Sequence, residues 1–408
     1  MKYGIWSALL VIVLLTACGK TPKAAEGILF RDDGAFLEAH TKPVVLSGED
    51  GLARIIVSPD LQGRIMTSTA AGADGLSFGW LNRELIASGQ NNPHINAFGG
   101  EDRFWLGPEG GQFSIFFKKD DPFDLDHWFT PPPINEGGYD IVAREADRIH
   151  FRKTMHLVNY SGAGFDVELN RFVRLLGKDE VAALGIPAPQ GLKMVAFSSE
   201  NAITNTGRES WTKDTGMLSI WILGMFNPSP ETTIVIPFRV GPEEELGPVV
   251  NDAYFGKVPA DRLIVGDGVL FFRGDGQYRS KIGISPRRVK PFAGSYDAAD
   301  GVLTVVHLTV PEGAVDYVNS MWEIQEEPFG GDVVNSYNDG PAEPGAKPLG
   351  PFYELESSSP AAALAPGETL THVHTTIHFQ GEADALDGIA RKIFGVGLAE
   401  IERAFKKT

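Results

Sequence analysis

Alternation of apolar and polar residues, broken every few positions by Gly, Pro, Asn or Asp, is the feature that most limits what this chain can fold into. From Phe165 to Val173 the odd positions are Phe165, Val167, Leu169, Arg171 and Val173, and the even ones are Asp166, Glu168, Asn170 and Phe172. Successive side chains on a strand point to opposite faces, so this segment reads as an antiparallel strand with one face buried. The same rhythm, or a short apolar run, recurs at 53–57, 139–143, 149–157, 218–222 and 302–308. Many such segments with turn residues between them predict an all-β sandwich or barrel. Helical spacing is clear only at the carboxyl end. Leu386, Ile389, Ala390, Ile393 and Phe394 form one apolar face and Leu398, Ile401, Ala404 and Phe405 another, with Gly395 and Gly397 between. Two short helices closing the domain are expected. The Pro-rich stretches 130–133 and 340–350 are too short to link domains and no tandem repeat is present, so residues 28–408 read as one domain.

The amino end is different in kind. Lys2 precedes an apolar run from Ile5 to Leu15, too short for a usual membrane span, and Leu15-Thr-Ala-Cys18 follows. Cys18 is the only cysteine in 408 residues, so no internal disulfide can form. The pattern resembles a bacterial lipobox. That resemblance implies removal of residues 1–17, lipidation of Cys18, a tether over residues 18–27 and anchoring in the cell envelope; a monomer is expected. Gly19, where an inner-membrane retention signal would place Asp, favours the outer membrane of a Gram-negative host. The chain carries 36 Lys and Arg against 53 Asp and Glu, a formal charge of −17. Such an acid excess argues against a nucleic-acid partner, which needs a basic face.

Four polar, aromatic segments stand out from the strand background. In Asn96–Gly111, paired glycines let the backbone come close to a ligand, and Glu101, Arg103, Trp105 and Glu109 lie between them. Arg103 offers a planar donor fork and Trp105 an apolar face for a sugar ring. A glycine-rich turn around a buried tryptophan fits the same letters. In Asp124–Pro133, His127 lies between Asp126 and Trp128, and an imidazole beside a carboxylate can move a proton near neutral pH. A locally hydrogen-bonded histidine fits as well. In Gly330–Gly340, the oxygens of Asp332, Asn335, Asn338 and Asp339 fall within eight residues, as a calcium or sugar-hydroxyl site requires, although an Asn/Asp turn has the same composition. Finally, alternation puts Glu354 and Glu356 on one strand face, and His372, His374 and His378 on one face of the next strand. A zinc site needs tighter convergence, so that histidine face is expected to be solvated or lined by aromatics, with no metal bound. Arg279 and Lys281 fall on one strand face in an acidic chain, a place for an anionic contact.

In this order, three further stretches resemble the galactose mutarotase-like superfamily, which includes the aldose 1-epimerases. They are Val57-Ser-Pro-Asp-Leu-Gln-Gly-Arg-Ile65; Asn201-Ala-Ile-Thr-Asn205-Thr-Gly with Trp211; and Leu355-Glu-Ser-Ser-Ser-Pro360 with Leu364-Ala-Pro-Gly-Glu368 and Thr375-Thr-Ile-His-Phe379. The resemblance implies a β-supersandwich whose concave face binds carbohydrate, with Glu356 at the position of the family's catalytic base. The family's acid histidine has no counterpart after Asn205, where Trp211 and Trp221 stand, and His127 is taken as its substitute. The expectation is a carbohydrate-active envelope lipoprotein working by acid–base chemistry without a cofactor. Its substrate contacts are Glu101, Arg103, Trp105, Glu109, Trp128, Lys281, Trp322, Asn335, Asn338 and Asp339. The alternative is a non-catalytic glycan binder lined by Trp105, Trp128 and Trp322.

Overall fold

The structure, a computed structural model, describes residues 27–343 and 345–406. The expectations for the leader, for Cys18 and for the tether as far as residue 26 lie outside the described residues. The described chain is dominated by two antiparallel sheets. The larger has ten strands in the order Leu263–Val265, Val269–Arg273, Thr232–Pro237, Phe292–Asp297, Val302–Leu308, Thr369–Gln380, Lys193–Asn205, Gly164–Leu175, Arg148–Val158 and Asp140–Arg144. The smaller, called here the front sheet, has five: Ser280–Ile284, Val334–Asn338, Tyr353–Ser358, Ser219–Phe226 and Arg103–Gly107. A three-stranded sheet, Val44–Ser47, Arg54–Ser58 and Arg64–Thr69, flanks them.

Alternation works as the sequence requires. Along Gly164–Leu175, Phe165, Val167, Leu169, Arg171 and Val173 are buried, while Phe172 is exposed. Leu355 and Val334 of the front sheet meet Ile234 and Phe272 of the large sheet in a shared core. Leu386, Ile389, Ile393 and Phe394 of the helix Ala383–Phe394, with Leu398 and Ile401 of Leu398–Arg403, cover the other face of the large sheet against Val235, Val305 and Ile377. These are the two expected terminal helices.

A helix the sequence reading did not anticipate, Phe30–His40, opens the described fold. Its apolar stripe is interrupted by Asp33, which is buried and bonded to Ser77 and Arg83, and by Gly34, a poor helix former. A buried polar residue in a helix face conceals its period from the sequence.

The histidine face corrects another expectation. His372, His374 and His378 are not solvated; all three are buried between the sheets, and His378 alone is lined by aromatics, stacked at 4.4 Å on Phe78. Ser357 of the front sheet lies 2.8 Å from both His372 Nε2 and His374 Nδ1. His378 lies 2.7 Å from Glu101 and 2.9 Å from Thr304. Nearby, Arg171 donates to Asp102 at 2.6 Å and to Asn201 at 2.6 Å, both pairs fully buried. A polar layer therefore runs through the sandwich interior.

Burial pulls the His372 imidazole down to about 3 and that of His374 down to about 4. Both stay neutral in the folded chain while the unfolded chain takes up protons near 6.5. Their contribution to stability is therefore whole above pH 6.5 and is lost as pH falls toward 4, by up to about 1.4 kcal/mol per pH unit for each histidine. Urea unfolding of the His372→Gln/His374→Gln variant should show a shallower loss of stability between pH 6.5 and 4 than the parent chain. Equal slopes would remove these histidines from the acid response.

Candidate functional site

The outward face of the front sheet carries chemistry because pairing aligns side chains in rows. Lys281 pairs with Tyr337, Tyr337 with Glu354 and Glu354 with Met225. The next row runs Gly283, Asn335, Glu356, Leu223 and Arg103, and Trp221 pairs with Trp105 beyond it. Residues two apart on one strand share a face, so Glu354 and Glu356 stand together while Leu355 and Ser357 turn into the sandwich.

A cavity of about 430 Å³ lies over these rows. It is lined by Arg103, Trp105, Glu109, Trp128, Lys281, Trp322 and Asp339 from the predicted set, joined by Glu354, Trp221 and Tyr337. Arg103 donates to Glu354 at 3.3 Å and its guanidinium sits 4.0 Å over the Trp105 ring. Lys281 Nζ donates to Glu356 at 3.0 Å and lies 4.6 Å over Trp221, whose indole N–H also donates to Glu356, at 2.8 Å. Trp128 stacks on Trp322 at 5.9 Å.

Buried charge sets the protonation of the group. Burial, with the like charge of Glu356, holds the Glu354 carboxyl well above the usual range despite Arg103. Burial also raises Glu109, against the pull of Lys281, and pushes Asp339 up to about 6. Burial alone would lower Lys281, but Glu356, Glu109 and Glu354 outweigh it and hold the ammonium charged.

Five predicted residues lie elsewhere. Glu356 is fully buried behind Lys281 and Trp221 rather than on the cavity wall. Glu101 turns into the sandwich, accepting from Ser68 at 3.0 Å beside His378. Asn338 ties down a turn through the Gly276 amide, Asp275 and the Tyr278 carbonyl. Asn335 donates to Tyr254, whose hydroxyl donates to Asp332 at 2.6 Å, around a chamber of about 10 Å³ behind Lys281. Gly283 is required there, because a Cβ would meet the Asp332 carboxylate at 2.0 Å. The His127 side chain is 41% exposed and 2.6 Å from Asp124, and it does not line the cavity although Asp126 and Trp128 on either side of it do. The oxygens expected to gather around calcium are thus spent separately, and among the described residues no group of three or more His, Cys, Asp or Glu side chains could hold a metal ion.

The paired glycines also have another purpose than the one expected. Gly99 and Gly100 adopt positive φ and let their own chain pass close, since a Cβ would meet the Trp80 carbonyl at 2.0 Å and that of Ile65 at 2.9 Å.

Residues 29–405 match a family described as one of unknown function, DUF6786. The chain belongs to that family. No curated protein matches it in sequence. Among solved structures, a candidate aldose 1-epimerase from Escherichia coli K12 is similar over 83% of this chain and 98% of its own, at 15% identity and a TM-score of 0.50. A galactose mutarotase-like protein from Lactobacillus casei ATCC 334 is similar over 83% and 100%, at 9% identity and a TM-score of 0.46. A protein from Synechocystis sp. PCC 6803 covers 84% and 96%, at 13% identity and a TM-score of 0.48. The likeness to the Escherichia coli structure, with the two antiparallel sheets described above, gives this DUF6786 chain the galactose mutarotase-like fold that its motifs suggested.

Among the cavity residues of the DUF6786 chain that carry no sequence signal of their role are His94 and Trp221. His94 lines the cavity with Nδ1 2.6 Å from the Trp128 carbonyl. Nothing in its flanking residues marks it, because the contact is made across 34 positions. Trp221 stands where the family's histidine is missing, and its pairing with Trp105 joins strands far apart in the chain, which no local pattern announces. The buried Lys281–Glu356 pair gives a direct check. Lys281→Met should cost about 3–5 kcal/mol by leaving a buried carboxylate without its cation, and adding Glu356→Gln should restore most of it. A double-mutant cycle in urea showing no coupling would mean that the pair is not formed in solution.

Proposed function

We propose that the cavity binds a carbohydrate and that Glu354 moves a proton on it. The observation that carries this reading is the setting of Glu354: it lines the cavity, its carboxyl is held up by burial and by Glu356, and Arg103 fixes one of its oxygens. A carboxyl that stays protonated toward neutral pH is suited to general acid work. Trp322, only partly buried where Trp105, Trp128 and Trp221 are buried, offers an apolar face for a sugar ring, and Glu109 and Asp339 offer acceptors for hydroxyls. Glu356, to which the resemblance gives the family's base position, is paired with Lys281 and raises the proton affinity of Glu354. The acid role expected of His127 passes to Glu354, because the His127 ring is engaged by Asp124 outside the cavity. Epimerisation, β-elimination and hydrolysis all need this proton transfer. A non-catalytic glycan binder is the second reading. It is favoured by the burial of Glu356, whose Oε2 is already held by two N–H donors.

A glycan panel scored for both melting shift and product separates the two. With a substrate in hand, Glu354→Gln should keep the melting shift and lose about 10²–10⁴-fold in turnover. In the parent chain the rate should fall as pH climbs through the raised value of Glu354, and that alkaline limb should disappear in the variant. Binding without product in the parent chain would leave only the glycan-binding reading.

We also propose that Cys18 is lipidated and holds the domain at the envelope, at the outer membrane in a Gram-negative host. The support is the short apolar run ending in Leu15-Thr-Ala-Cys18. Cys18→Ala should move the protein from the membrane fraction to the soluble fraction. Unchanged membrane recovery would overturn the anchor.

A further inference from the structure

We infer, on the reading that the cavity binds carbohydrate, that its ligand is an oligosaccharide lying across the strands of the front sheet rather than a single sugar. The cavity is lined from all five strands, or from the residues at their ends, with Arg279 and Lys281 at one edge and Arg103 and Trp105 at the other. At about 4.8 Å between neighbouring strands, the backbones of the two edge strands are roughly 19 Å apart. Lys281 reaches inward from its edge to lie 4.6 Å over the Trp221 ring, so Arg279 and Phe255 mark that end of the cavity.

Aromatic side chains gather at both ends, with Trp322 the partly exposed member at the Arg103 edge. At the Arg103 edge, Trp105, Trp128 and Trp322 form a connected set, with Trp105 and Trp128 at 6.4 Å and Trp128 and Trp322 at 5.9 Å. At the other edge, Phe255 meets Tyr337 at 6.0 Å, and the Arg279 guanidinium lies 3.8 Å over the Phe255 ring. Phe255 is nevertheless 37% exposed. Leu125, at 50%, and Leu349, at 47%, are also exposed in the cavity lining. Exposed apolar side chains gathered round a concave site mark contact surface for a partner larger than the floor alone would hold. Glu354 stands on the central strand between the two aromatic ends. A single ring resting on one end would leave the other bare, whereas a chain of rings covers both and lays an internal linkage over Glu354.

The test is calorimetric titration of the full chain with matched series, from monosaccharide to tetrasaccharide, of gluco-, galacto-, manno- and uronate sugars. For the sugar that binds, affinity should rise at least tenfold from monosaccharide to trisaccharide. Phe255→Ala and Trp322→Ala should each weaken the trisaccharide at least fivefold, while only one of them weakens the monosaccharide. Phe255 is exposed enough that its variant should fold as the parent does, which a melting curve checks. A monosaccharide bound as tightly as its trisaccharide, or a trisaccharide indifferent to Phe255→Ala, would overturn the inference and leave the carbohydrate reading standing. No binding by any sugar at any length would overturn both.

Discussion

A buried ammonium–carboxylate contact, Lys281 to Glu356, underlies the chemistry of the front sheet. Two charges removed from water are tolerated only with good geometry and further hydrogen bonds, and the Trp221 indole supplies one of these. The pair joins strands two positions apart in the sheet, so it fixes their spacing as well as their charge. Burial holds the Glu354 carboxyl above its ordinary range, and the negative charge of Glu356 beside it adds to that. Without Lys281, Glu356 would be an uncompensated buried charge, and the field that sets Glu354 would change with it.

Arg103 performs the corresponding task at the other edge. Its guanidinium is held between the Glu354 carboxyl and the Trp105 ring, and the Trp105–Trp128–Trp322 set grows outward from that contact. Two cations therefore hold two acids on one strand, and each cation rests on a tryptophan. The site is built from sheet register, with little reliance on loops for its polar centre.

This explains which parts were legible in the sequence. Alternation is local, so the strands and the shared face of Glu354 and Glu356 could be read from a few consecutive residues, and so could the terminal helices from their spacing. Motif order pointed to the galactose mutarotase-like fold. Facing direction across the sandwich is not local. His372 and His378 alternate just as a solvated strand would, and only the opposing sheet makes them interior. Glu101 and Arg103 are two residues apart, yet Glu101 serves the interior and Arg103 the cavity, because Glu101 precedes the strand that begins at Arg103. Paired glycines mark a close approach without saying to what, and here the neighbour is the chain's own backbone. Asn338 and Asp332 show the same ambiguity, since oxygen-rich turns are spent on holding themselves together.

The strand Tyr353–Ser358 has opposite partners on its two sides: carboxylates toward cations, and Ser357 between His372 and His374. Slide it by one residue and Leu355 would stand before Arg103 and Lys281, while the two glutamates would enter the aliphatic core and the neutral histidines. A slip by one residue moves every side chain to the wrong face, and here each wrong placement strands a charge. The charged residues of the front sheet thus also act as proofreaders of the fold. A chain that pairs in the wrong frame must bury acids without their bases, so misregistered sheets are penalised by the same chemistry that makes the correct sheet useful.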